Sequence, residues 1–260
     1  MRCAVCSSEM RFSFSEVVLG KYDVSYFHCS DCGFLRTEEP YWLNEAYTRA
    51  ISAADTGLLE RNLAVSAKLA AILYLSFNAR GAFIDVAGGY GVLTRLMRDI
   101  GFDFYWEDKY CENLLAIGFE SDKLDAPVQG LTALEVLEHV PEPVEFLSGL
   151  MGRFGTRNVI FSTETYRGPT PPDKSWWYYA FRTGQHVAFY RNQTLLKIAQ
   201  RLNLVFASVR GMHILSGRML PNQLLLRMLS GRLVSLLVPY IRRRLGSRTM
   251  SDHSRLLGKV

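Results

Sequence analysis

Apolar and polar positions along this chain follow three successive patterns. Over residues 1–39, aromatic and β-branched residues interleave with polar ones, as at Phe12, Phe14, Val17, Val18, Tyr22, Val24, Tyr26 and Phe27. A period near two predicts short hairpins. Over 55–80 the spacing becomes three and four, through Leu58, Leu59, Leu63, Val65, Leu69, Ile72 and Leu73. This predicts a helix that ends near Asn78 to Gly81 and leads into the main domain. From residue 82 short apolar runs alternate with helical spacing, predicting strands at 82–86, 102–107, 131–135 and 158–163 and helices at 92–101 and 143–154. A helix at 194–202 and a sheet-closing strand at 204–210 complete the series. Such alternation implies a parallel sheet with crossover helices, hence an α/β fold.

The organisation that follows is a cysteine-bearing module at 1–40, a helical linker at 41–80, an α/β domain at 81–212 and a basic helical segment at 213–260. A chain of 260 residues, 48% hydrophobic, holds one such domain and a small appendage. It shows neither an export leader nor an apolar run of the roughly 20 residues a membrane span needs, which places it in the cytoplasm.

Four of the five cysteines form two pairs, Cys3-Ala-Val-Cys6 and Cys29-Ser-Asp-Cys32, with 22 residues between them. In a chain without a leader, paired cysteines at this spacing indicate a metal rather than disulfides, and two such turns offer four thiolates to one tetrahedral zinc. Gly33, directly after the second pair, suits the tight turn. Four protein ligands leave no open position, so this zinc would be structural. Reduced cysteines without metal are the plainer alternative. A redox pair would follow a strand in a thioredoxin-like unit, a context absent here. Cys111 reads as an ordinary free thiol.

Net charge is +5, but eight arginines and no acid lie between Arg210 and Ser251. Removing those eight leaves about −3 for the rest, so the charge is local. A nucleic-acid binder would spread its basic face over the folded domain, and nucleic acid is disfavoured as a partner. The segment Asn222 to Arg248 alternates Leu and Val with arginine. It either packs its leucines on the domain, the preferred reading, or rests as an amphipathic helix on anionic lipid at the inner face of the membrane or on a protein.

The run Phe83-Ile84-Asp85-Val86-Ala87-Gly88-Gly89-Tyr90-Gly91 is an apolar strand, an acid and a glycine-rich turn, with helical spacing directly after it. Such a turn brings backbone close to a ligand at the carboxyl edge of a sheet. About 20 residues on, where nucleotide-binding α/β folds place a carboxylate for ribose hydroxyls, the next strand ends in Glu107-Asp108, with Asp108 the first choice and Glu107 the second. Glu135 ends the strand at 131–135, and Pro141-Glu142-Pro143 starts the helix after it. Glu135-x-x-Glu138-His139 can also be read as metal ligands, against the preferred reading of a solvated turn that closes over a cofactor. The third glycine of a dinucleotide fingerprint is missing after Gly91, which argues against a nicotinamide-dependent dehydrogenase.

On these residues, DVAGGYG followed by ALEVLEHVPEP, the chain resembles class I methyltransferases, including the ubiquinone-type O-methyltransferases, over roughly residues 80–210. The resemblance implies a Rossmann-like seven-stranded sheet and S-adenosylmethionine as cofactor. It also implies that Asp85, Gly88, Gly89 and Gly91 hold the methionine portion, with Asp108 on the ribose and Glu135 joining the cofactor site. The family commonly has glycine where Ala87 stands.

A long aromatic insertion follows, with Thr163-Glu164-Thr165-Tyr166, then Trp176-Trp177-Tyr178-Tyr179, then Gly184-Gln185-His186-Val187-Ala188-Phe189-Tyr190. Loops this long in compact domains are commonly binding lids, although each ring can equally pack the lid on the sheet. His186 is the leading candidate base, with Glu164 and Tyr190 behind it. The stretch resembles methyltransferases of surface-glycan and nucleotide-sugar pathways, some of which carry an N-terminal four-cysteine zinc module. It implies a small acceptor, a sugar or glycan precursor. The alternative from another class is a methyltransferase-fold zinc-ribbon scaffold without activity. A nucleic-acid methyltransferase lacks support, since neither an Asn-Pro-Pro-Tyr nor a catalytic-cysteine motif is present.

Overall fold

The computed structural model describes residues 1–47 and 56–258. The expected helix start at residue 55 and part of the 41–80 linker lie outside the described residues. In chain order the elements are β1 (Arg11–Val18), β2 (Tyr22–His28), β3 (Leu35–Thr37), α1 (Leu43–Ala46), α2 (Leu58–Ser76), β4 (Ala82–Val86), α3 (Val92–Ile100), β5 (Asp103–Glu107) and β6 (Val128–Leu134). They continue with α4 (Pro143–Phe154), β7 (Asn158–Ser162), β8 (Ala188–Phe189), α5 (Asn192–Arg201), β9 (Val205–Val209), β10 (Met212–Ser216), α6 (Gln223–Met228), α7 (Gly231–Leu245) and α8 (Thr249–Leu256). The chain divides into two compact units, one of residues 1–50 and 134–218, the other of 51–133 and 219–260.

In the first unit β1, β2, β3 and β8 form an antiparallel sheet in that order. Its alternation buries Val18, Val24, Tyr26 and Leu35 against Trp42, Tyr166, Tyr178, Tyr179, Val187 and Phe189. The cysteine-bearing hairpin and the aromatic insertion therefore share one sheet and one core. Most insertion rings are packing groups, and Trp177, 74% exposed, is the exception. The same unit holds β7, β10 and β9, antiparallel in that order. β10 lies where the sequence pattern begins a helical segment at 213. All five of its residues are buried, so they show no period of either kind, and pairing with β7 and β9 makes them a strand. Arg210 (φ +48°) and Gly211 (φ +82°) form the two-residue turn from β9, and arginine in place of the usual Asn or Asp conceals the hairpin signal.

In the second unit β5, β4 and β6 run parallel in that order, with α3 as the crossover from β4 to β5. The α/β class thus agrees with the alternation. Among the described residues the two units hold three such strands each, six where seven were expected. The missing strand shrinks to one residue, Glu120, bridged in parallel to Trp106, because Gly118 and the charged residues from 120 to 125 interrupt the apolar run. In α2 the buried residues are Ser66, Leu69 to Leu73 and Ser76, whereas Leu59 and Leu63, expected on its apolar stripe, are 62% and 58% exposed.

The basic segment folds onto its own unit. Leu226, Leu229, Val234 and Ile241 are buried, Tyr240 meets Tyr74 edge to face, and Arg242 to Arg244 are exposed. No helix among the described residues is long and apolar enough to cross a membrane. Asp252 in α8, the first acid after the arginine run, is buried and anchors the segment. It receives both Nε and Nη2 of Arg98 at 2.8 Å, while Arg98 Nη1 reaches Asp103 Oδ1 at 2.8 Å. The guanidinium lies 3.7 Å from the Phe119 ring centre. Removing one partner of a buried pair strands the other charge. Asp252→Ala is expected to lower unfolding stability by about 3 kcal/mol, read from the urea midpoint at unchanged slope. A loss below about 1 kcal/mol, the value of a surface pair, would show that this pair does not hold the segment.

Candidate functional site

The glycine-rich turn after β4 is locked by the strand beside it. Gly88 N–H donates to Glu107 O at 3.0 Å, Gly89 N–H to Asp108 Oδ2 at 2.9 Å, and the Trp106 indole to Gly89 O at 2.8 Å. A Cβ on Gly88 would stand 2.8 Å from the Trp106 ring and one on Gly91 (φ +85°) 2.9 Å from Ala116, so both positions require glycine. Asp108 Oδ1 also accepts from the N–H groups of Tyr110 and Cys111 at 2.7 and 2.8 Å, and Glu107 accepts the Ser121 hydroxyl. Asp85, Gly88, Gly89, Gly91 and Asp108 are thus brought together. Trp106 and Thr132 belong with them and were not singled out from sequence.

Asp85 is 3% exposed and accepts the Thr132 hydroxyl at 2.7 Å. Burial pushes its carboxyl up to about 7 against the Thr132 hydrogen bond, and the Asp108 charge adds to the rise.

In the first unit, a cavity of about 280 Å³ is lined by Glu135, Thr163, Glu164, Thr165, Trp177, Tyr178, Asn192, Ser208, Gly211 and His213. Glu135 opens the turn after β6 at φ +52°, with its N–H donating to Ser162 O and its carboxylate accepting the Ser162 hydroxyl. The Tyr178 hydroxyl stands 3.1 Å from Thr163 Oγ1 and accepts Glu164 N–H at 3.0 Å. His213 and Asn192 on this wall carry no pattern that marks them in the sequence.

The three candidate bases are placed differently. Glu164 is exposed and lines the cavity. His186 is not among the lining residues. Its Nδ1 lies 2.7 Å from Tyr178 O, and burial lowers its pKa to about 4. Tyr190 is fully buried and donates its hydroxyl to Leu137 O at 2.7 Å, and burial raises its pKa far above the usual phenol value. The solvated-turn reading of Glu135-x-x-Glu138-His139 does not hold for Glu138, which is 0% exposed because the β8 segment covers it, with Val187 N–H donating to Glu138 O.

The four paired cysteines converge, with Sγ separations of 3.6 Å between Cys3 and Cys32 and 3.4 Å between Cys6 and Cys29, and all within 4.8 Å. Zn–S bonds of about 2.3 Å set tetrahedral sulfur separations of about 3.8 Å, so the donor set fits. The Cys32 thiol pulls Cys3 down to about 5, while that pairing and burial push Cys32 far up and burial raises Cys29 to about 11. Four adjacent thiols cannot all ionise without a cation among them.

Residues 59–209 match a family model described as Methyltransferase domain. This is more than half of the chain, so the chain belongs to that methyltransferase-domain family. Among solved structures it is similar to TnmH (17% identity, 68% of this chain and 60% of that one, TM-score 0.46). It is also similar to an O-methyltransferase family 2 protein from Planctomyces limnophilus in complex with apigenin (12%, 66% and 63%, TM-score 0.43). A third is the magnesium protoporphyrin IX methyltransferase of Synechocystis with bound SAM (15%, 68% and 90%, TM-score 0.36). The chain spans about three-fifths of the length of the first two. No curated protein matches it.

Because Asp85 is held near 7 against an ordinary 3.8, the folded state keeps a proton that the unfolded chain releases. Its contribution to stability is most favourable at low pH and is lost as pH rises towards 7. Asp85→Asn, which keeps the acceptor for Thr132 without the charge, should therefore gain thermal midpoint over the parent protein. The gain should be small near pH 4 and full above about pH 7. A difference that does not change between pH 5 and 8 contradicts this.

Proposed function

We propose that the protein methylates a hydroxyl of a small polyhydroxylated acceptor, a sugar or glycan precursor. The observation that carries this is the cavity wall, with the carboxylates of Glu135 and Glu164, the hydroxyls of Thr163, Thr165 and Ser208, the Asn192 amide and the exposed Trp177 ring. Hydroxyl groups pair with such donors and acceptors while the apolar face of a sugar ring lies on an indole. At about 280 Å³ the cavity suits one small ring.

Bound S-adenosylmethionine supplies a methyl group already activated on a sulfonium. Asp85, Gly88, Gly89, Gly91 and Asp108 are the residues proposed to hold it. The rest of the chain's task is to position the acceptor and remove one proton. Glu164 is the best supported base, since its carboxylate is exposed on the cavity wall. His186, lowered to about 4, is a weak base at neutral pH. Tyr190, its hydroxyl tied to Leu137 O, acts as a buried post. The four thiols are proposed to hold a structural zinc, supported by their separations.

Calorimetric titration with S-adenosylmethionine tests the cofactor site. The parent protein should bind, and Asp108→Ala, which frees Gly89 N–H, should weaken binding by about tenfold or more, the value of one charge-assisted hydrogen bond. Unchanged affinity removes Asp108 from the site. No binding by the parent protein favours the inactive zinc-ribbon scaffold. In an acceptor screen beginning with nucleotide sugars, Glu164→Gln should lower kcat by about 10²-fold at unchanged cofactor affinity, and an undiminished kcat excludes it as the base.

A further inference from the structure

The turn after β6 holds side chains that methyl transfer, as proposed, leaves unused. Glu138 is 0% exposed, and neither of its carboxylate oxygens makes a well-formed hydrogen bond among the described residues, although the Tyr178 hydroxyl and the Glu135 carboxylate stand beside it. Nor does any lysine or arginine pair with it there. A buried carboxylate without donors is costly unless a proton or a cation matches it.

Two imidazoles stand in position to help. The donor atoms of Glu138, His139 and His186 all lie within 4.8 Å of one another, and metal bonds of about 2.1 Å set donor separations of about 3 to 4.2 Å. The two rings meet edge to face with centres 4.9 Å apart. His139 Nδ1 lies 2.9 Å from Gln185 O and His186 Nδ1 2.7 Å from Tyr178 O. A carbonyl only accepts, so each Nδ1 carries its hydrogen, which in the neutral ring leaves Nε2 as the nitrogen for a metal, with the Glu135 backbone also beside His139. Imidazoles that bind metals are commonly fixed in this way, through a carbonyl on the other nitrogen. The segment that carries the Gln185 carbonyl is itself fixed, since the Gln185 side chain donates to Ala46 O at 2.9 Å and Val187 N–H donates to Glu138 O at 2.8 Å.

We propose that Glu138, His139 and His186 form a second metal centre, distinct from the four thiols, which binds a divalent first-row transition ion and leaves coordination positions open for a ligand. Two imidazoles and one carboxylate suit Mn²⁺, Fe²⁺, Co²⁺ or Zn²⁺ and select against ions that prefer all-oxygen or thiolate cages. Tyr178, which lines the cavity, packs on His186 with ring centres 4.6 Å apart, so the centre adjoins the cavity wall. Resting on the proposed function, the ion would take the acceptor hydroxyl as a ligand and ease loss of its proton. Acceptors with two adjacent hydroxyls would be favoured.

The test uses full-length protein stripped of metal, resupplied with one equivalent of zinc for the thiols, and titrated with Mn²⁺ alone. Binding is followed by electron paramagnetic resonance and thermal midpoint. The expected result is about one bound Mn²⁺ and a raised midpoint. Glu138→Gln, of the same shape without the charge, and His186→Ala should each weaken Mn²⁺ binding by about 30-fold or more, with zinc content unchanged. If His186→Ala does not fold, Glu138→Gln decides alone. A parent protein that takes up neither Mn²⁺ nor a second equivalent of zinc overturns the proposal, as does Glu138→Gln binding Mn²⁺ as tightly as the parent. S-adenosylmethionine affinity, measured in parallel without added Mn²⁺, separates failure of this centre from failure of the methyltransferase site.

Discussion

A charge taken out of water must be matched, and this constraint organises the molecule. Where the chain supplies the match, the result is architecture. Arg98, 1% exposed, is satisfied on three sides by Asp252, Asp103 and Phe104 O, and that set joins α8 to α3 and β5. Arg36, 4% exposed, reaches Glu142 at 2.5 Å and Glu39 at 3.7 Å and ties β3 to the start of α4. Where the chain supplies none, the result is a site. Glu138, Asp85 and the paired thiols are ionisable groups that the fold takes from water beside other acids, and at Glu138 and the thiols the proposed cations would supply the match.

Backbone conformation follows the same division. Ala87 directly after β4 and Glu135 directly after β6 are both non-glycine residues at positive φ, +56° and +52°. Each costs about 1 to 2 kcal/mol. Both stand at the carboxyl ends of parallel strands, where open α/β sheets bind ligands. Each is held by the residues around it, Ala87 between the strand and the Gly88 to Glu107 hydrogen bond, Glu135 by its N–H on Ser162 O. Strain of this kind is commonly kept where a site needs it.

Much of this was legible in the sequence because the punctuation is sharp. β4 and α4 carry the expected bounds, since glycines end the first, and Pro143 begins and Gly155 ends the second. The glycine turn and its acid were legible for the same reason, as glycine spacing reports backbone geometry directly. Burial was not legible. Glu138 and His139 read as a solvated turn because their neighbours in sequence are polar, whereas the segment that covers them, through Val187 N–H, lies far along the chain. His186 and Tyr190 looked alike as candidate bases, and only their partners, Tyr178 O and Leu137 O, distinguish a held ring from a buried post. β10 escaped because uniform burial erases periodicity.

The cysteine module is consequently more than an appendage. Cys32 O accepts the Thr194 hydroxyl at the start of α5, and Gly33 O accepts the Tyr166 hydroxyl. Immediately after, β3 pairs with β8 through Leu35 and Phe189, and Thr37 N–H donates to Val187 O. The strand that leaves the thiol cluster thus fixes the segment that carries His186. Closed four-thiolate centres contribute folding energy when metal binds, and with the proposed zinc bound that energy would stabilise a strand which holds the His186 segment against Glu138. A zinc far in sequence from the chemistry would in this way set the geometry of the proposed second centre through β3 and β8 within the first unit.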